Sequence, residues 1–114
     1  MHLEVTFKNL RPRKEVRERA ELLFGKLERF LEPASEGQLT VEIEHQDAIV
    51  ELIVNAWGET HTVSHEEDDL RTSLDKVFHT METRLRRHKE RRVDARRVGA
   101  PEADGFTVAE IEEA

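Results

Sequence analysis

With 114 residues, 37% of them hydrophobic and 38% charged, the chain has material for one small, lean-cored domain. It contains no cysteine, which excludes disulfides, thiolate metal sites and cysteine nucleophiles and fits a reducing compartment. The net charge of −7 conceals a sorting into blocks: residues 71–97 carry ten Arg or Lys against four acids, whereas residues 33–70 carry ten acids and neither Arg nor Lys.

His2–Lys8 alternates, with Leu3, Val5 and Phe7 on one side, and predicts a first strand. Such a start does not read as a signal peptide, and no apolar run approaches the ~18 residues of a membrane span, so a soluble, cytoplasmic protein is expected. Asn9 and Pro12 punctuate the chain. From Arg13 to Leu31, the positions Val16, Ala20, Leu23, Leu27, Phe30 and Leu31 recur at helical spacing and predict an amphipathic helix. Its charges Glu15/Arg19, Lys14/Glu18 and Arg17/Glu21 stand four apart and can neutralise one another, while Arg19 and Lys26 share a flank.

Pro33, Ser35 and Gly37 end that helix. Leu39, Val41 and Ile43 alternate with Thr40, Glu42 and Glu44, a half-exposed strand. After a turn at His45–Asp47, Val50, Leu52 and Val54 form the buried side of the next strand. Trp57-Gly58-Glu59 turns the chain again, and Thr60–His65 makes a last, more polar strand. Asp68 or Asp69 can cap a second helix whose stripe is Leu70, Leu74, Val77, Phe78, Met81 and Leu85. Residues 98–114 hold five acids and no base, lack a period and read as a disordered acidic tail on a domain spanning 1–97. The order β-α-β-β-β-α predicts an α+β fold, with two helices on one face of a four-stranded antiparallel sheet.

The end of the second helix carries the strongest functional signal. Six of the nine residues 84–92 are Arg or Lys, opposed only by Glu90. Stepping 100° per residue from Leu85 returns Lys89 and Arg92 to the core side, which predicts a helix that outruns the sheet with charge all round. Arg84, Arg87 and Arg91 share the opposite side, with Arg86 between. Charge runs are usually solvated helix surface, but repulsion this dense favours a polyanionic partner.

Other chemistry is poorly supported. His61 and His65 fall about 13 Å apart on one strand, too far to share an ion, so no metal site is expected. The Glu66–Asp69 acids read as helix N-terminal charge. No glycine-rich phosphate loop and no nucleophile motif occurs, so an enzyme, a cofactor or a small-molecule substrate is not expected. Trp57 is either an anchor against the sheet or a stacking platform for a base.

The chain resembles the ribosome hibernation factors, the hibernation-promoting factor and ribosome-associated inhibitor A family, long described as sigma-factor modulation proteins. The resemblance spans residues 1–92 and rests on Phe24-Gly25-Lys26-Leu27-Glu28-Arg29-Phe30, on Asp69-Leu70-Arg71-Thr72-Ser73-Leu74-Asp75 and on Leu85-Arg86-Arg87-His88-Lys89. It implies a translation inhibitor lodged in the decoding channel of the small ribosomal subunit, over the messenger and transfer RNA sites. By position, Arg17, Lys26, Arg87, His88 and Lys89 match its basic RNA-facing residues; the helical-wheel argument adds Arg84, Arg86, Arg91 and Arg92. Arg71 stands where the family has an aromatic, and Thr80 and Thr83 where it often has Lys and Arg. The acidic tail resembles the inhibitor-A branch, and a short form, monomeric off the ribosome and without a dimerisation domain, is expected. Rival readings are a double-stranded-RNA-binding module and a protein–protein regulator using the acidic sheet face.

Overall fold

The computed structural model describes the backbone of residues 1–99 and the side chains of residues 1–92. The elements are β1 (His2–Lys8), α1 (Lys14–Gly25), a single 3-10 turn (Glu28–Phe30), β2 (Glu36–Glu44), β3 (Asp47–Ala56), β4 (Glu59–Glu67) and α2 (Leu70–Gly99). They form an α+β fold with the sheet order β1-β2-β3-β4. The described residues fall into two units, residues 1–84 and those from Leu85 onward. The acidic tail expected over 98–114 lies outside the described residues except for Val98 and Gly99, which belong to α2.

The sheet is mixed, which corrects the expectation of a wholly antiparallel one: β1 runs parallel to β2, from His2 opposite Glu36 to Lys8 opposite Glu42. The reason is topological. A helix between two adjacent strands carries the chain back to its starting edge, so the second strand must run in the direction of the first. The antiparallel pairs β2–β3 and β3–β4 are closed by two-residue turns, His45-Gln46 and Trp57-Gly58. All four turn residues have positive φ, between 52° and 76°, as mirror-image hairpin turns require. Only one of the four is glycine, so the strand pairing must hold the other three in the left-handed region.

Alternation along the strands sets the core. Leu39, Val41, Val50, Leu52 and Val54 are at most 1% exposed and share one face of the sheet. Val16, Ala20 and Phe24 of α1 and Leu74, Val77, Phe78 and Met81 of α2 are buried over that face. α1 approaches β2 so closely that a Cβ on Gly37 would sit 2.8 Å from the Phe24 ring, so only glycine fits there without a shift. α2 is docked by Ser73, fully buried, whose hydroxyl donates to the Ala48 carbonyl at 2.8 Å. Asp69 caps this helix, accepting from the Thr72 amide at 2.9 Å and the Thr72 hydroxyl at 2.7 Å.

The first helix stops six residues before its predicted end. At Gly25 the ladder tightens: the Leu27, Phe30 and Leu31 amides each reach back three residues, to Phe24, Leu27 and Glu28. The tighter turn still buries Leu27, Phe30 and Leu31, which is why their spacing looked like more helix. Trp57 then fastens this segment. Its indole N–H donates to the Phe30 carbonyl at 2.9 Å, and its backbone N–H donates to a Glu32 carboxylate oxygen at 2.7 Å. Trp57 is 37% exposed, so it is an anchor that stays partly accessible.

Candidate nucleic-acid interface

In residues 1–84 most bases near the helices are engaged within the fold. Arg19 of α1 does not use its neighbour Glu15; it makes a two-pronged contact to Asp75 of α2, at 2.9 and 3.1 Å. That hydrogen bond raises the Arg19 pKa further above its ordinary value. Arg71 reaches the same carboxylate at 3.9 Å. Seven positions on, Glu82 takes Arg29 at 3.7 Å, while the guanidinium of Arg29 lies 4.8 Å from the Phe30 ring centroid. Asp75 and Glu82 stand two helical turns apart, so one side of α2 offers an acid to α1 and another to the 3-10 turn after it. Lys76 is held by Glu67 at 3.0 Å.

The expected contact residues separate by exposure. Arg17 is half-buried, its guanidinium 5.7 Å from the Phe7 ring centroid, where a cation-π contact holds it against β1. Lys26 is exposed at the C-cap of α1. Arg84 is exposed, and it donates to the Thr62 carbonyl at 2.7 Å, on the open edge of β4. Sequence reasoning missed this clamp, because nothing local to Arg84 points to a carbonyl 22 residues earlier.

From Leu85 onward the helix keeps its sides distinct. Arg87, Lys89 and Arg91 are exposed, and Arg86 and Arg92 are half-buried. His88 is only 6% exposed. The expectation of charge all round is thereby corrected: Met81, Leu85, His88 and Arg92 continue the four-three-four spacing of the buried stripe, and Lys89 does not rejoin it. An imidazole is small enough to bury, and the stem of an arginine covers apolar surface while its head reaches water. Arg84, Arg87 and Arg91 recur at helical spacing along the exposed side, as the sequence predicted.

The start of α2 presents a different surface. A hollow of about 290 Å³ lies beside the first turns of both helices, lined by Arg13, Glu15, Val16, Arg19, Asp69, Leu70, Arg71 and Leu74. Its charges nearly balance, since Glu15 and Asp69 face the three arginines. Arg71 thus places a cation at the position where the resembled family carries an aromatic ring. Thr80 and Thr83 bond within the fold, to the His65 imidazole at 3.0 Å and to the His79 carbonyl at 3.2 Å.

Comparison with known proteins places this arrangement. Residues 3–93 match the family described as Sigma 54 modulation protein / S30EA ribosomal protein. The Protein Y N-terminal domain from Thermus thermophilus has a similar fold, with a TM-score of 0.72, 21% identity and coverage of 77% of this chain and 99% of that one. A ribosomal subunit interface protein from Coxiella burnetii superposes with a TM-score of 0.66 and 28% identity, over 79% of this chain and 99% of that one. No match is found among curated protein sequences. With the match covering strands, both helices and the basic stretch of α2, the chain belongs to the sigma-54 modulation / S30EA ribosomal protein family.

Proposed function

We propose that this protein is a ribosome hibernation factor that binds ribosomal RNA in the decoding channel of the small subunit and blocks the messenger and transfer RNA sites. The observation that carries the reading is the exposed basic end of α2, with Arg84, Arg87 and Arg91 along one side and Lys89 on the other flank, in a chain of this family. Lys26, exposed at the C-cap of α1, is a further base for phosphate. Phosphates meeting these side chains supply affinity and orientation, and the shape of the folded RNA supplies specificity without base reading. The subunit-interface description of the Coxiella burnetii relative supports a ribosomal partner. The protein acts as a cytoplasmic monomer off the ribosome, by occupancy, with neither catalysis nor cofactor.

Co-sedimentation with small ribosomal subunits across a salt series tests the proposal. Wild type should pellet with subunits at low salt and be released steeply as salt rises, through counterion release. A variant with Arg87, Lys89 and Arg91 changed to Glu should remain in the supernatant. Equal binding by both proteins would reduce the basic side to solvated surface. Binding of plain RNA duplexes as tightly as subunits would favour a general double-stranded-RNA module instead.

A further inference from the structure

The face of the sheet turned away from the helices carries the opposite charge. β2 directs Glu36, Glu42 and Glu44 to it, β3 directs Asp47 and Glu51, and β4 directs Glu66, with Glu4 on β1 beyond them. Among the described residues Lys8, at the end of β1, is the only Lys or Arg on this face. The acids are set in rows by the strand register. Ile49 lies between Glu42 on one neighbour and Glu66 on the other, and Ile53 lies between Gln38 and Thr62. Along β3 the outward positions therefore read Asp47, Ile49, Glu51, Ile53, acid alternating with isoleucine. Both isoleucines are half-exposed, in contrast to Val50, Leu52 and Val54 at 0% on the other side of the same strand.

We infer that this face is a docking surface for an extended, Lys- and Arg-rich segment of a partner polypeptide. The fit is one of spacing as well as charge. Same-side residues of a strand repeat every ~6.8 Å, so an extended segment whose same-side positions alternate a base with an apolar residue matches the acid–isoleucine order of β3. Its bases would meet Asp47 and Glu51, with Glu42, Glu44 and Glu66 on the flanks, while its apolar side chains cover Ile49 and Ile53. Such a face repels phosphate, so it cannot share the RNA contact of α2. Crowding of acids on this face also shows at Glu66, whose carboxyl is raised above its ordinary value by a hydrogen bond to Asp47, by desolvation and by the nearby charges of Asp47 and Glu44. A cationic partner relieves it.

The test uses the full chain and a short synthetic peptide whose odd positions alternate Lys and Val, with Thr at the even positions, followed by calorimetry and by amide chemical shifts. Binding should perturb Ile49, Glu51 and Ile53 and weaken as salt rises. E42Q/E51Q/E66Q should bind about tenfold more weakly, because each exposed charge pair contributes little alone. I49T/I53T, which keeps strand propensity, should lose about threefold. Small-subunit binding should be unchanged in both variants, which separates failure here from failure of the RNA-binding proposal. Equal peptide affinity in the charge variant, or shifts confined to the helices, would overturn the inference. So would dimerisation of the free protein that E42Q/E51Q/E66Q abolishes, since the occupant would then be a second copy of this chain.

Discussion

The two faces of this molecule handle charge in opposite ways. On the helix side, bases and acids from distant parts of the chain are matched: Arg19 with Asp75, Arg29 with Glu82, Lys76 with Glu67. On the sheet side, acids stand beside acids across neighbouring strands, as at Glu44 opposite Asp47. The difference teaches that net charge describes neither surface. Contacts in residues 1–84 engage Arg19, Arg29, Arg71 and Lys76 within the fold, whereas Lys26 and the exposed Arg87, Lys89 and Arg91 of α2 stay accessible. Among the described residues the sheet face has Lys8 alone, opposite Glu42, to set against its acids, and leaves most of its field open to solvent.

Removing the platform shared by both faces should have the largest effect. Leu52 is fully buried at the centre of β3, and Leu52→Ala should cost about 3 kcal/mol in denaturant unfolding. Both binding activities should fail together near its unfolding midpoint. The triple reversal R87E/K89E/R91E should break one face alone, lowering small-subunit affinity by about a hundredfold while leaving the unfolding midpoint in place. Should its thermal stability drop as well, these residues support the fold, and the contrast between the faces is weaker than drawn. Gly37→Ala should cost about 1–2 kcal/mol by pressing on the Phe24 ring, with no direct effect on either charged surface.

The smallest expected effects depend on pH and carry opposite signs. Hydrogen bonds from Thr72 lower the Asp69 pKa, so its stabilisation is complete above the ordinary carboxylate pKa and is lost as pH falls through the lower folded value. The Glu66 pKa is raised, so its unfavourable charge is fully present above the folded value and is relieved as pH falls through it. Replacing Asp69 with Asn should flatten the acid limb of the stability curve. Glu66→Gln should stabilise slightly near neutral pH and remove the relief on acidification. If E66Q destabilises at neutral pH, the sheet face is not under like-charge strain.

Much of this was legible in the sequence, for local reasons. β1 begins and ends where its alternation does, both hairpin turns fall at the predicted positions, and Asp69 caps α2 as its neighbours suggested. What was hidden depends on partners remote in the chain. Nothing in the alternation of β1 says that it pairs in parallel with β2. The Arg19 contact lies 56 residues away, whereas its four-residue neighbour Glu15 offered a simpler answer. At the candidate interface, the exposed row of Arg84, Arg87 and Arg91 was readable from helical period alone. The burial of His88 was not, because a histidine in the stripe looks polar on paper although its spacing is that of a core residue.

The parallel pairing of β1 has a consequence in time. β2, β3 and β4 are joined by two-residue turns, so their ladder can form through contacts of short sequence separation. β1 cannot be placed until α1 has crossed and Glu36–Glu44 exists to receive it, although it is synthesised before β2, β3 and β4. During synthesis its apolar side, Leu3, Val5 and Phe7, must wait for a partner made about thirty residues later. Pulse-labelled hydrogen exchange should find the β2–β3–β4 amides protected before those of β1, so of the four strands the earliest made is the last to be secured.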